Sequence, residues 1–359
     1  MTLALIVRRV ACLAAAALGV GLAPVVASSA LAAGPPTLKD TWRERVGAAG
    51  RVVVNAVRAP RLGRSASVGA PFAGMPLYAD PDGPARAQAD RWRATRPDDA
   101  ALMDRLAAQP QALWLGDWTA DVRAAAAERV ALARRAGAVP VLVAYNIPDR
   151  DCGQHSAGGA ADARSYRAWI DALARGLAGG PSIVVLEPDA LASLDCMEPD
   201  ARAARTALIA AAATRLGRVA AARVYIDAGH AAWVPAAEMA RRLRAAGVAK
   251  VAGFALNVAS FQTTEASRAY GTAISRRAGG ARFVIDTSRN GAGPAAGGEW
   301  CNPVGRAVGA SPTTDPGLDR VDALLWVKRP GESDGECNGG PAAGSWWPEA
   351  ALALVRAAG

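Results

Sequence analysis

The stretch Ile183-Val184-Val185-Leu186-Glu187-Pro188-Asp189 joins four apolar residues, three of them β-branched, to two carboxylates placed around a proline. A short and continuously apolar run of this kind predicts a strand that is buried on both faces, as in a parallel sheet. The two carboxylates would then emerge at the carboxyl end of the strand. In α/β barrels and open α/β sheets, catalytic side chains converge at that edge.

Three more aspartates follow apolar runs in the same way. They are Asp151 in residues 145–152, Asp227 in residues 224–230 and Asp334 in residues 326–335. The chain has only two histidines, so this pattern points away from a histidine metal site and towards general acid and base chemistry. Glycoside hydrolysis is the commonest reaction that uses two carboxylates.

Strand-like and helix-like patterns alternate from about residue 70 to the end of the chain. This alternation predicts a single α/β domain, but it fits a barrel and a doubly wound sheet equally well. The predicted strands are residues 112–115, 139–144, 183–186, 223–226, 251–256, 282–285 and 323–327. The predicted helices are residues 120–136, 162–177, 201–216, 236–246, 265–277 and 349–358.

The N-terminus has the pattern of a secretory signal peptide over residues 1–33. Arg8 and Arg9 precede an apolar stretch, and small residues at 30–33 suit a signal peptidase. A membrane anchor is the alternative, but glycines and Pro24 interrupt the apolar stretch. We therefore expect a secreted, extracellular protein with no membrane association after signal removal. Residues 34–69 are predicted to be a flexible extension or linker, and residues 70–359 the catalytic domain.

Composition and charge exclude several partners. The net charge is +9, or +7 without Arg8 and Arg9, and nearly all of the positive residues are arginines scattered along predicted helices. This is typical of a solvated basic surface, so we expect no nucleic-acid partner. Beyond the signal peptide the chain has four cysteines, which allow three pairings, and it has no Cys-x-x-Cys pair. We expect no metal and no cofactor.

Six motifs in order, at compatible spacing, carry a resemblance to a known family. The motifs are Asn146-Ile147-Pro148-Asp149-Arg150-Asp151-Cys152, Glu187-Pro188-Asp189-Ala190-Leu191, Asp227-Ala228-Gly229-His230, Asp286-Thr287-Ser288-Arg289-Asn290-Gly291, Glu299-Trp300-Cys301-Asn302-Pro303 and Lys328-Arg329-Pro330-Gly331-Glu332-Ser333-Asp334-Gly335. With these motifs the chain resembles glycoside hydrolase family 6, the inverting cellulases, and is most similar to its bacterial endoglucanases, from about Pro71 to the end.

The resemblance implies the fold and the cysteine pairing. The fold would be α/β, a distorted parallel (β/α) barrel with fewer than eight strands, with a cleft across its C-terminal face. The disulfides would be Cys152–Cys196 and Cys301–Cys337, stapling the loops that carry the aspartates. No second compact module is recognisable in the sequence, so we expect a single domain without a carbohydrate-binding module, acting as a monomer.

The resemblance also implies roles for the four aspartates. Asp189 would be the general acid, and Asp151 would modulate it by keeping its proton in place. Asp227 would act through electrostatics and hydrogen bonds to the substrate. Asp334 would either lie near the attacking water as the base or pair with Lys328 and shape its loop. The alternatives from local sequence are a helix N-cap for Asp189 and an ion pair with Arg150 for the modulating residue.

Substrate contacts are expected from aromatic faces and polar groups beside the motifs. The chain has ten tryptophans but only four phenylalanines, an unusual ratio for core filling. Trp92, Trp169 and Trp347 are expected to be partly buried in the core, and Ser156 to lie on a mobile flap. The predicted substrate-binding residues are Trp114, Asp117, Tyr145, Ser156, His230, Trp233, Asn257, Trp300, Lys328 and Glu332.

The activity implied is that of an endo-β-1,4-glucanase acting on cellulose or soluble glucan. The disulfide loops contain too little chain to roof the cleft into a long tunnel, which favours internal cutting. A cellobiohydrolase of the same family and a non-catalytic polysaccharide-binding protein remain as alternatives. A serine hydrolase is disfavoured because residues 154–158 lack the first glycine of Gly-x-Ser-x-Gly.

Overall fold

The structure, a computed structural model, describes residues 72–359. The predicted signal peptide and N-terminal extension lie outside the described residues. Seven strands form one parallel sheet in the order of the chain. They are β1 Leu113–Leu115, β2 Val141–Ala144, β3 Ser182–Leu186, β4 Ala222–Asp227, β5 Gly253–Leu256, β6 Arg282–Asp286 and β7 Val321–Leu325. Each observed strand overlaps in sequence with a predicted strand.

Eight α-helices accompany these strands in residues 72–359. They are α1 Pro84–Trp92, α2 Pro97–Ala107, α3 Val122–Arg135, α4 Ala163–Gly176, α5 Pro199–Leu216, α6 Ala236–Ala245, α7 Thr264–Arg277 and α8 Pro348–Arg356. The sequence analysis missed α1 and α2. Both start with a proline in the first turn, and Asp98 and Asp99 follow in α2, which is a usable helix-start signal.

The sheet curls into a half-barrel, so the predicted fold class is confirmed. In the part of the chain that the structure describes, β1 and β7 are the two edges and do not pair as strands. Hydrogen bonds at the ends of the two strands bridge them instead. The Ala112 N–H donates to the carbonyl of Trp326 at 3.0 Å, and Arg329 Nε donates to the carbonyl of Ala112, also at 3.0 Å.

Both faces of the sheet are buried, which is why the strand sequences are largely apolar. Residues such as Val143, Val185 and Tyr225 pack in a cluster made mainly of strand residues, inside the curl. Their neighbours Leu142 and Val184 point the other way and pack with residues of the surrounding helices. Alternate strand residues face opposite sides, so an apolar core on each side favours apolar residues at consecutive positions.

No helix within residues 72–359 is long and apolar enough to cross a bilayer.

Candidate active site

The site lies where the carboxyl ends of the parallel strands meet at one edge. Asp189 follows β3 in a sharp turn, with positive φ at both Glu187 (50°) and Asp189 (69°). Asp189 is partly exposed as a residue, and its backbone N–H donates to Asp227 Oδ1 at 2.9 Å. The next α-helix begins only at Pro199, so Asp189 is not the helix cap that its local sequence allows.

The surroundings of Asp189 favour its protonated form. Burial is the largest cause, and the nearby carboxylates of Asp227 and Asp151 add to it, so the pKa of Asp189 lies well above its usual value. Lys328 opposes this shift but does not outweigh it. A carboxyl group that keeps its proton near neutral pH can serve as a proton donor.

Asp227 is fully buried and supports Asp189 from below. Its Oδ1 accepts hydrogen bonds from the N–H groups of Asp189 and Gly229, and its Oδ2 has no partner within residues 72–359. Burial raises its pKa to about 7, although these N–H groups oppose the shift. The predicted hydrogen bond from Asp227 to the substrate is wrong, because the side chain has no exposed surface. Its predicted electrostatic effect on Asp189 is present.

Asp151 lies two residues before a flap, defined here as residues 153–160. Its Oδ2 accepts a hydrogen bond from the N–H of Ser156 at 2.8 Å, so the two predicted site residues are in contact. The buried Arg150 holds the flap from beneath, with Nε donating to the Ser156 carbonyl at 2.7 Å. Arg150 Nη1 donates to Asp117 at 3.0 Å and to the Tyr145 carbonyl at 2.8 Å. Arg150 therefore pairs with Asp117 and leaves Asp151 free of that ion pair.

Glu187 is a supporting residue whose role the sequence analysis did not assign. Its buried carboxyl group accepts the N–H groups of Asn146 and Ile147, each at 3.0 Å, and so joins the ends of β2 and β3. Burial raises the pKa of Glu187 to about 7 against the effect of these N–H donors. The buried Arg205 donates to the carbonyl of Asp149 at 2.6 Å, which anchors the same segment ahead of the flap. The place of Glu187 in the Glu-Pro-Asp motif was the signal in the sequence that could have indicated its importance.

Asp334 lies in the loop after β7, called here the Asp334 wall of the site, and is held there by basic groups. Arg289 Nη1 contacts both of its oxygens at 2.8 and 3.0 Å, Lys328 Nζ lies 3.6 Å away, and the Asn302 N–H donates at 3.0 Å. Burial alone would raise the pKa of Asp334, but Arg289 and Lys328 outweigh it and hold the pKa below its usual value. Asp334 is therefore ionised, and it pairs with Lys328 as one of the two predicted alternatives states.

Asp286 joins three strand ends beneath this wall. Its buried carboxylate accepts hydrogen bonds from the N–H groups of Ser288 and Val327 at one oxygen, and from those of Ala259 and Lys328 at the other. These donors lie after β5, β6 and β7. The residue was visible in the Asp286-Thr287-Ser288 motif, but nothing in the sequence indicated this structural role.

Asn257 does not fit the predicted role of a sugar contact. It is fully buried, and its Nδ2 donates to the carbonyls of Gln262 and Asp286 at 3.0 and 2.9 Å. Its Oδ1 accepts the Gln262 N–H at 3.0 Å. All of these groups belong to the protein, so the side chain holds the loop after β5 and does not reach the cleft.

Aromatic side chains lie along the same edge. Trp233 and Trp300 are 44% and 51% exposed, and Trp118, which the sequence analysis missed, is 57% exposed. Trp114 is half-buried, meets Tyr145 edge to face at 5.1 Å, and donates from Nε1 to a β7-end carbonyl at 2.8 Å. The three tryptophans expected to lie partly in the core, Trp92, Trp169 and Trp347, are partly buried.

The remaining predicted contacts lie close to these aromatic rings or to the ionised wall. The His230 ring is 5.5 Å from the Trp233 ring, and burial lowers the pKa of His230. Glu332 is half-buried and pairs with Arg329 at 2.9 Å. Lys328 is buried beside Asp334, and burial lowers its pKa although that carboxylate opposes the shift.

Both implied disulfides are present. Cys152 is bonded to Cys196, which joins the segment just before the flap to the loop after Asp189. Cys301 is bonded to Cys337, which joins the loop after β6 to the loop after β7. Within residues 72–359, one group of candidate metal ligands lies close together, His155 with Cys301 and Cys337. Because both sulfurs are in a disulfide, they are not thiolates, and this group does not form a zinc site.

The site contains two kinds of carboxyl group. The pKa of Asp189 is raised beside other carboxyl groups, and Asp334 is a carboxylate paired with cations. Exposed aromatic faces lie nearby. Such a pair of titratable groups, with pKa values displaced in opposite directions, is typical of an acid-catalysed hydrolysis.

Comparison with known proteins gives consistent matches. The sequence model described as glycosyl hydrolases family 6 matches residues 72–358. Endoglucanase A of Cellulomonas fimi is 50% identical over 268 residues, which is 74% of this chain and 58% of that protein. Endoglucanase 1 of Streptomyces halstedii is 43% identical over 291 residues, which is 78% of this chain and 88% of that protein.

A solved structure supports the fold match. The endoglucanase Cel6 from Mycobacterium tuberculosis, in complex with methyl-cellobiosyl-4-deoxy-4-thio-β-D-cellobioside, is 46% identical and superimposes with a TM-score of 0.77. The match covers 80% of this chain and 99% of that one. The chain spans 58% of the length of the Cellulomonas fimi relative, so it corresponds to only a part of that protein.

Proposed function

The chain belongs to the glycosyl hydrolases family 6, and on that premise we propose that it is a secreted endo-β-1,4-glucanase. One observation carries the proposal. Burial and the nearby carboxyl groups of Asp227 and Asp151 raise the pKa of Asp189, whereas Arg289 and Lys328 hold the pKa of Asp334 below its usual value. That is the charge distribution required by a hydrolase that donates a proton to a leaving oxygen and receives one from water.

Asp189 is the proposed general acid. Its proton passes to the glycosidic oxygen as the bond from that oxygen to the anomeric carbon breaks. The developing positive charge on the sugar is stabilised by the nearby carboxyl groups, of which Asp151 is the more exposed. The backbone hydrogen bond from Asp189 to Asp227 fixes the turn that aims the acid. Asp227 is thus a positioning residue and does not touch substrate.

Water attacks the anomeric carbon from the opposite face and inverts its configuration. Asp334 is ionised, but both of its oxygens already accept hydrogen bonds from Arg289, and one also accepts from the Asn302 N–H. We therefore propose that Asp334 receives the proton of the attacking water through an intervening water. Hydrogen bonds through a bridging water are nearly as favourable as a direct hydrogen bond, so one water can connect Asp334 to the attacking water.

The substrate of the proposal is a β-1,4-glucan chain, either cellulose or a soluble glucan. The exposed indole faces of Trp233 and Trp300, with the half-buried Trp114, provide surfaces on which pyranose rings stack. Polar groups around them would bind sugar hydroxyls. These are the side chains of Asp117, Tyr145, Ser156, His230, Lys328 and Glu332.

The stereochemical outcome tests the catalytic proposal directly. Proton NMR during the first minutes of hydrolysis of a cello-oligosaccharide should show the α-anomer first, because a single displacement inverts a β-bond. An initial β-anomer would indicate a covalent intermediate and contradict the mechanism. A binding protein without catalysis would release no reducing sugar at all.

The endo mode has a separate test, with the cellobiohydrolase as the second candidate. The two disulfide loops close over sequence separations of 44 and 36 residues, which leaves little chain for a long roof. A cleft that accepts internal segments should lower the viscosity of a soluble glucan well before reducing ends accumulate. Dominant cellobiose release with slow viscosity loss would favour the cellobiohydrolase.

Three further expectations concern the whole protein. Export is tested by the enzyme's appearance in the culture medium with residues 1–33 removed, and retention in the cell would contradict it. A monomer is expected in size-exclusion chromatography coupled to light scattering. Purified enzyme should show no retention on heparin beyond that of a basic surface, since no nucleic-acid partner is proposed.

A further inference from the structure

Among the tryptophans of residues 72–359, Trp118 is the most exposed, and it has no part in the mechanism proposed for the carboxyl groups. It follows Asp117 just beyond the end of β1, and 57% of its surface is exposed. Single exposed apolar residues are normal on protein surfaces. The position of this ring, however, is set by several specific contacts.

The indole ring folds back over the end of the strand. A side chain at Gly116 would place its Cβ 2.5 and 2.6 Å from two ring carbons of Trp118, so only glycine leaves room for the ring there. The Tyr145 ring lies 6.5 Å from the Trp118 ring, and the Arg150 guanidinium lies 5.2 Å from it. These neighbours support the ring, while more than half of the residue's surface stays open to solvent.

The ring also continues the proposed glucan-binding surface. Tyr145 contacts Trp114 on one side and Trp118 on the other, and the charges of Asp189 and Asp151 act on its hydroxyl group. The aromatic row thus extends outward from the reacting carboxyl groups. Beside Trp118, Asp117 is kept ionised: burial would raise its pKa, but the Gly159 N–H and Arg150 lower it below the usual value.

We propose that Trp118 forms an outer subsite that binds a glucosyl unit of a β-1,4-glucan beyond the units bound at Trp114 and Tyr145. This inference rests on the proposed function. The apolar face of a pyranose ring would stack on the open face of the indole, and its hydroxyl groups would donate to the Asp117 carboxylate. Backing by Arg150 keeps the ring in place, so little ordering is required when the sugar binds.

A purely structural role is the competing explanation. In that case Trp118 would shield the ion pair between Arg150 and Asp117, in which the aspartate side chain is 40% exposed. Shielding requires a covered position, and a ring with most of its surface in solvent covers little. The two explanations differ in what they predict for substrates of different length.

The test compares W118A and W118F with the wild type on cellohexaose and cellotriose. For W118A we expect the KM for cellohexaose to rise about 3- to 10-fold more than that for cellotriose, which corresponds to one aromatic stacking contact. W118F keeps an aromatic face and should recover most of this loss. V304A is the matched control, since Val304 is 84% exposed and lies outside the aromatic row.

The outcomes separate this inference from the proposed function. A wild type that hydrolyses both substrates, with W118A altering them equally, would overturn the subsite and leave the glucanase intact. Equal loss on both, together with a lower Tm, would support the shielding role. A wild type that cleaves neither substrate would contradict the proposed function itself, and the subsite with it.

Discussion

Asp189 and Asp334 are the same residue type at the ends of β3 and β7 in one site, yet their pKa values are displaced in opposite directions. Burial acts on both carboxyl groups in the same sense, towards a higher pKa. The difference comes from their neighbours. Asp189 lies beside other carboxyl groups, whereas Asp334 lies against Arg289 and Lys328.

This contrast shows how one residue type supplies both an acid and a carboxylate at the same pH. Like charges nearby disfavour ionisation, and opposite charges favour it. The two carboxyl groups therefore differ in their affinity for a proton, the affinity being raised at Asp189 and lowered at Asp334.

Removing the acid should have the largest effect. D189N keeps the size of the side chain but has no proton to donate, so activity on unactivated glucans should fall by about two to four orders of magnitude. Aryl cellobiosides with good leaving groups need little protonation and should lose far less. Steady-state rates on both substrate types check this, and equal losses on both would contradict the assignment of Asp189.

Breaking the ion pair on the opposite wall should mainly cost stability. R289M leaves the Asp334 carboxylate buried beside Lys328 alone, and both members of the original pair have only 5% exposed side chains. Removing one member of such a pair typically costs about 3–5 kcal/mol in the free energy of unfolding, measured by urea denaturation.

A surface pair provides the control for this variant. Arg320 lies 3.8 Å from Asp319, both at the surface, so R320M should cost less than about 1 kcal/mol. The triple variant R289M/K328M/D334L, which removes all three charges of this cluster, should recover part of the loss. A cost for R289M no larger than for R320M would show that the Asp334 wall is not held by this pair.

The two disulfides test whether the walls are stapled independently. C152A/C196A and C301A/C337A should each lower the free energy of unfolding by about 2–5 kcal/mol. The first should also lower kcat more, because it releases the loop that positions Asp151. The second releases Asn302, while Arg289 still holds Asp334. A larger loss of kcat for C301A/C337A than for C152A/C196A would contradict this prediction.

Removing the charge below Asp189 should shift the pH profile without abolishing activity. Asn at position 227 retains an oxygen for the N–H groups of Asp189 and Gly229, and its amide occupies the place of the unpartnered Oδ2. Because the Asp227 charge raises the pKa of Asp189, D227N should lower that pKa.

The sign of the shift follows from the acid's role. Activity needs protonated Asp189, and a lower pKa means that the proton is lost at a lower pH. The alkaline limb of kcat/KM against pH should therefore move to lower pH in D227N, while the acidic limb moves less. An unchanged or higher alkaline limb would show that Asp227 does not set the proton affinity of the acid.

The sequence allowed much of the site to be predicted, because local patterns and motifs carried the information. The runs before Asp151, Asp189, Asp227 and Asp334 predicted strand ends, and all four residues lie near that edge. The roles of Asp227 and Asn257 were not predictable in the same way. Whether a side chain after a strand faces the cleft or the core depends on how neighbouring loops cover it, and those loops come from distant parts of the chain.

The missed features have the same origin. The sequence around Trp118 contains no signal that separates it from Trp114. Only the position of the Trp118 ring over Gly116 shows that its face is open, whereas Trp114 is half-buried. Helices α1 and α2 lack strong apolar periodicity because they cover a small satellite core with α8. Their start signals were present, but nothing local required a helix.

Apolar runs that predict strands buried on both faces indicated the parallel α/β class, and the motifs identified the carboxyl groups that meet at one edge. The alternation of strands and helices did not separate a half-barrel from a doubly wound sheet, for which the family resemblance was needed, and the opposite pKa shifts of Asp189 and Asp334 became visible only in the folded protein. Both depend on contacts between residues far apart in the chain. The reason is physical: a pKa is set by burial and by charges within a few ångströms, and folding alone brings Asp227 to Asp189 and Arg289 to Asp334.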